Sequence, residues 1–161
     1  MNNLHDIFAQ YLSAPIVDSV KNAIVYGVTL NKENRIIVID AKFDTLVKAE
    51  DIFATQRLIK TSSLKLTDAK ISPVFESSLF DVSYFPEIVE FLKVETPSLN
   101  GSLNDAQLFC KDNILTVKLA HGGLSLLQAK GFSKLLSDII YKMFSLRFEV
   151  EYSGVTEIDG N

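Results

Sequence analysis

A single cysteine, Cys110, excludes an intramolecular disulfide, and with only His5 and His121 beside it the chain offers too few ligands for a transition-metal site. Cys110 is expected as a small buried residue. No apolar run approaches the roughly 20 residues needed to cross a bilayer, and Met1-Asn2-Asn3-Leu4-His5-Asp6 lacks the basic start of a leader sequence. A cytoplasmic setting without a membrane partner is the expectation. No GxGxxG is present, and Gly122-Gly123 lacks the lysine and spacing of a P-loop. A basic surplus is missing too. The formal charge is −4, with 9 basic against 9 acidic residues through Leu79 and 7 against 11 from Phe80 onward. Affinity for nucleic acid comes largely from neutralised phosphates, so this balance argues for weak or no direct strand binding.

What is present is a core-forming composition, 47% hydrophobic and 22% charged, set out in helical and strand patterns. The stretch from Tyr84 to Tyr152 reads as one complete unit. Phe85, Ile88, Val89 and Leu92 share a helical face, with Pro86 near the start where its missing N–H costs little. Ala106–Cys110 and Ile114–Leu119 read as strands joined by a tight turn, with Leu115, Val117 and Leu119 toward a core. Leu124–Lys130 begins a helix that Gly131 interrupts. Phe132, Leu135, Leu136, Ile139, Ile140 and Met143 then form the strongest helical stripe in the chain, and Arg147–Tyr152 alternates as a closing strand.

Earlier in the chain, Leu4, Ile7, Phe8, Tyr11 and Leu12 form a short amphipathic helix. Val20, Ile24, Tyr26, Val28 and Leu30 alternate along one face of a strand that pairs with the β-branched run Ile36–Ile39. Asp44 is the expected N-cap of a helix carrying Ala49, Ile52, Phe53, Gln56 and Ile59, with Gln56 the polar exception. A weakly patterned strand follows from Leu64 to Ile71 and ends at Pro73. The fold class is α+β: two small α/β units over residues 1–76 and 77–153, the second in the type II KH-like order helix, strand, strand, helix, helix, strand. Residues 154–161 read as a flexible tail or a cut end. The first unit echoes that order without its extra helical turn.

Chemistry-bearing residues are few. His121, beside Gly122-Gly123, is the sharpest catalytic candidate because imidazole titrates near neutrality, although the spacing places no carboxylate or nucleophile near it. Glu50-Asp51 diverge on a helix, and Glu149 and Glu151 share one solvated strand face. Lys130, Gly131, Lys134 and Lys142 are the candidate contacts for nucleic acid or a partner, along one helix edge.

Pro86–Leu92, then Thr96-Pro97-Ser98-Leu99-Asn100-Gly101, then Asp112–Val117 and the leucine-rich helices before Arg147-Phe148-Glu149-Val150 resemble the N-terminal region of PolC-type bacterial DNA polymerase III α subunits. There a helix, a P-x-L-x-G step, an L-x-V strand and a long helix recur in this order. The second half is also similar to the polymerase-binding domain of the clamp-loader τ subunit. The resemblance implies a noncatalytic region that docks replisome proteins, such as the τ subunit or the single-strand-binding protein. It needs no cofactor itself; Mg²⁺, template-directed synthesis and 3′–5′ exonuclease activity would belong to the parent polymerase. In strand-binding KH domains a GxxG loop joins the two helices. Here Ala129-Lys130-Gly131-Phe132 supplies one of those glycines.

Overall fold

β-Branched residues set the middle of the first sheet. The computed structural model describes residues 2–99 and 101–154. Strand β2 (Ile36–Phe43) lies between β1 (Ile24–Asn31), antiparallel to it, and β3 (Asp68–Phe75), parallel to it. Alternation sends Ile37, Ile39, Ala41 and Phe43 to one face, where the register sets them against Ala69, Ile71, Pro73 and Phe75. Each fully buried aliphatic side chain there stabilises by roughly 1.5–3 kcal/mol. The same core takes Ala49, Ile52 and Ile59 from α3 (Ala49–Lys60), which packs against β3, along with Leu4 and Phe8 from α1 (Leu4–Phe8). Thr55 is buried on α3, its hydroxyl donating to the Asp51 carbonyl at 2.9 Å.

Several details depart from the sequence pattern. Val20 belongs to a short helix, α2 (Asp18–Lys21), not to a strand, and is fully buried. Tyr26, Val28 and Leu30 are all exposed: Tyr26 is the extra residue of a bulge between Val25 and Gly27, while Val28 and Leu30 share the face of Ile39 and Ile37 on an outer strand that leaves them partly open. Lys48, rather than Asp44, occupies the N-cap of α3. β3 begins four residues later than the Leu64 start and continues through Pro73 to Phe75. The proline fits because the strand lies at the sheet edge. Two residues before it, the Ile71 N–H points away from β2 and donates to Gln56 Oε1 at 2.8 Å, which explains the polar exception on α3.

The chain divides into units Met1–Leu79 and Phe80–Asn161, so the 3-10 turn Ser77–Leu79 stays with the first sheet rather than opening the second unit. In the second unit, α4 (Phe85–Glu95) buries Phe85, Ile88, Val89 and Leu92. Strand β5 (Ile114–Leu119) lies between antiparallel β4 (Gln107–Lys111) and parallel β6 (Glu149–Gly154). A two-residue turn, with Asp112 at φ 55°, closes the hairpin. Leu115, Val117 and Leu119 are buried as expected. Helices α5 (Leu124–Ala129) and α6 (Phe132–Phe144) follow, α6 burying Phe132, Leu136, Ile140, Met143 and Phe144.

The order helix, strand, strand, helix, helix, strand is therefore the observed one. Gly154 belongs to β6, opposite Leu119, and not to a tail; the rest of the expected tail, residues 155–161, lies outside the described residues. Ser133 and Ser137 tie α6 to the last strand region, through the Tyr152 hydroxyl and the Phe148 carbonyl, each at 3.0 Å. Phe80 packs on Phe144 and Phe148 with ring centroids 5.3 and 5.1 Å away, which places it in this core. Both units share one plan: an antiparallel hairpin, then a helical connection, then a strand parallel to the middle one.

Candidate functional site

Where β5 gives way to α5 the chain turns through two glycines at positive φ, Gly122 at 78° and Gly123 at 93°. Both are buried, and a Cβ on Gly123 would stand 3.3 Å from Ser102 Oγ. A side chain there would press on the Ser102 hydroxyl where the 101–105 turn passes, and the positive φ itself favours glycine. This approach carries Asp105, itself at φ 59°, to the imidazole: His121 Nε2 lies 2.8 Å from Asp105 Oδ2. Sequence reasoning placed no carboxylate beside His121, and the partner lies 16 residues away on a separate turn. The side chains stay 57% and 78% exposed, so water competes for this contact and the pair fastens two turns together only loosely. Among the described residues Ser102 makes no hydrogen bond to the imidazole. The pair can orient a ring; it holds no nucleophile.

The expected lysine edge does not converge. Lys130 caps α5 and Gly131, at φ 67°, starts α6, where a Cβ would meet nothing within 4 Å. Gly131 thus turns one helix into the next without approaching other backbone. Lys134 is taken by Asp138 at 2.9 Å, a helical (i, i+4) pair. Lys142 lies in the last turn of α6, about 12 Å further along the axis at ~1.5 Å per residue. Glu149 and Glu151 are exposed on β6, and Asp51 accepts from the Ser19 hydroxyl at 2.9 Å. Cys110 is exposed, contrary to the expectation of burial, because β4 is an outer strand whose inward face is covered at Leu108 and left open two residues later. Among the described residues no group of three or more His, Cys, Asp or Glu side chains gathers, and no helix is long and apolar enough to cross a membrane.

An apolar concavity of the second unit went unpredicted. It lies where the 3-10 turn Val82–Tyr84 and the start of α4 meet β4, a groove of about 360 Å³ lined by Val82, Phe85, Pro86, Leu108 and Phe109. Phe109 is the rim. It sits opposite Thr116 on β5, on the face away from Leu108, and is 51% exposed. Beneath the turn, Tyr84 meets Phe144 edge-on at 6.1 Å. Burial, and secondarily the Glu87 carboxylate, hold its hydroxyl well above the usual range. A clue was visible in the sequence: a phenylalanine at a position that strand alternation turns away from the core.

No family model, curated protein or solved structure matches the chain.

Proposed function

We propose that the chain is a protein-docking module whose second unit receives an apolar segment of a partner in the groove between β4 and the start of α4. One observation carries the reading. Phe109, on an outer strand beside Phe85 and Pro86, exposes half of an aromatic ring at the rim of an apolar groove. Aromatic side chains in such positions contribute disproportionately to binding. The resemblance to the N-terminal region of PolC-type polymerase α subunits supports a replisome protein as the partner, the clamp-loader τ subunit or the single-strand-binding protein, in a cytoplasmic setting. On this reading polymerisation and its Mg²⁺ belong to other segments of a longer enzyme.

Titration of the purified τ subunit and single-strand-binding protein into the chain tests this. The expected result is saturable binding of one of them, weakened about tenfold or more by Phe109→Ser, which corresponds to roughly 1.4 kcal/mol. Binding unchanged by Phe109→Ser, or no binding of either protein, would overturn the assignment. Fluorescence anisotropy with short single-stranded DNA separates the alternative of a strand-binding module. A steep fall of affinity with salt, relieved by Lys130→Ala, would favour that alternative.

A further inference from the structure

Two three-stranded sheets present four outer strands, and three of these carry devices that discourage pairing with another chain. β3 contains Pro73, and Gln56 already occupies its Ile71 N–H. β4 is short and ends on Lys111, and β6 carries Glu149 and Glu151. β1 differs. Its first part is covered by Asn2–Leu4, through Leu4 N–H to the Ala23 carbonyl and Val25 N–H to the Asn2 carbonyl, both at 3.0 Å. Beyond the bulge, Gly27–Asn31 holds no charge and no proline.

The direction of the main chain along this bare part follows from its hairpin bond. The Asn31 carbonyl accepts from Arg35 N–H at 2.8 Å, so Asn31, Thr29 and Gly27 turn their peptide groups toward β2. Val28 and Leu30 therefore direct an N–H and a C=O each outward, and these find no protein partner among the described residues. Their side chains share the face of Ile39 and Ile37, their register partners, yet remain 47% and 39% exposed. They extend the core beyond the part that helices cover.

We propose that this edge pairs antiparallel with the same edge of a second copy, on a two-fold axis through Thr29. In that register Val28 of one copy stands opposite Leu30 of the other, twice over, and Thr29 stands opposite Thr29. All outward peptide groups of Val28 and Leu30 are then satisfied, and apolar pairs form on the helix-covered face. The fit in length is also set by the fold. The bare part, about 17 Å at ~3.4 Å per residue, is bounded by the hairpin turn on one side and Asn2–Leu4 on the other, so it admits a strand as long as itself. Neutrality selects the occupant: a self-paired strand meets its own charges on the axis, and this one has none. The contact is small against the ~1,200 Å² of stable interfaces, so the pair is weak and reversible.

Sedimentation equilibrium over a concentration series tests it. The wild-type chain dimerises, whereas Thr29→Lys and Thr29→Asp each set like charges across the axis and weaken dimerisation at least tenfold. Mixing those two variants restores association as a heterodimer, while unchanged circular dichroism shows that they fold. A wild-type chain that stays monomeric at millimolar concentration overturns the proposal and leaves the edge to an extended segment of another protein. A dimer indifferent to both substitutions overturns it too. Neither result bears on the Phe109 groove, which lies in the other unit.

Discussion

The first unit keeps its outer hairpin strand long, uncharged and partly bare, while the second shortens the equivalent strand to Gln107–Lys111 and ends it on a lysine. The middle strands show no such divergence. Ile37, Ile39, Ala41 and Phe43 in β2, and Leu115, Val117 and Leu119 in β5, are buried alike. The two units thus reach one strand order, because the order depends on an apolar middle strand and helices to cover it. The outer strands are free of that demand, and there the two units acquire different surfaces: a self-complementary edge in one, an aromatic rim over a groove in the other.

Equivalent middle-strand truncations give the largest effects. Ile39→Ala and Leu115→Ala each remove a side chain with no exposed area, and each is expected to cost roughly 2–5 kcal/mol in urea unfolding. A penalty below 1 kcal/mol in either unit would break the equivalence. Next comes the end of the parallel pair, where the first unit places Phe75 opposite Phe43 and the second places Gly154 opposite Leu119. Gly154 has φ 80° and a Cβ there would collide with the Leu119 carbonyl oxygen, so Gly154→Ala should destabilise by at least about 1 kcal/mol. Gln56→Leu removes the acceptor of the Ile71 N–H and should cost about 1 kcal/mol, with faster exchange of that amide.

The smallest effect concerns Lys42 and Glu76, 2.8 Å apart on the first unit. The Lys42 ammonium, by its hydrogen bond and then by its charge, holds the Glu76 carboxyl below its ordinary 4.5. A lowered carboxyl pKa stabilises the fold fully above the ordinary value, and the contribution disappears as pH falls through the folded one. Lys42→Met should therefore lower the melting temperature slightly at pH 7, a difference that closes toward pH 3. Both side chains are well exposed, which keeps it small.

Much of this fold was legible in the sequence. Strand β5 and helices α4 and α6 follow from period alone, since each is long enough to repeat its pattern. The failures have local causes. Four residues of α2 cannot display a helical period, which let Val20 pass for strand. One inserted residue at the β1 bulge puts Ile24 on a different face from Val28 and Leu30, although all three alternate in the sequence. Pro73 looked like a terminus because the sequence does not show which strand is outermost, and the same blindness hid the exposure of Cys110. The His121–Asp105 pair and the Phe109 groove join separate segments, so no spacing rule could have found them. The lysines were visible, and so was the (i, i+4) spacing on a helix that lets Asp138 take Lys134.

Residue-resolved amide exchange across a range of protein concentrations tests the contrast between the outer strands most directly. The account predicts slow exchange throughout β2 and β5, and fast exchange at Val28 and Leu30 in dilute solution that slows as concentration rises, with β4 unaffected. Val28 and Leu30 protected equally at every concentration, or β4 slowing alongside them, would contradict it.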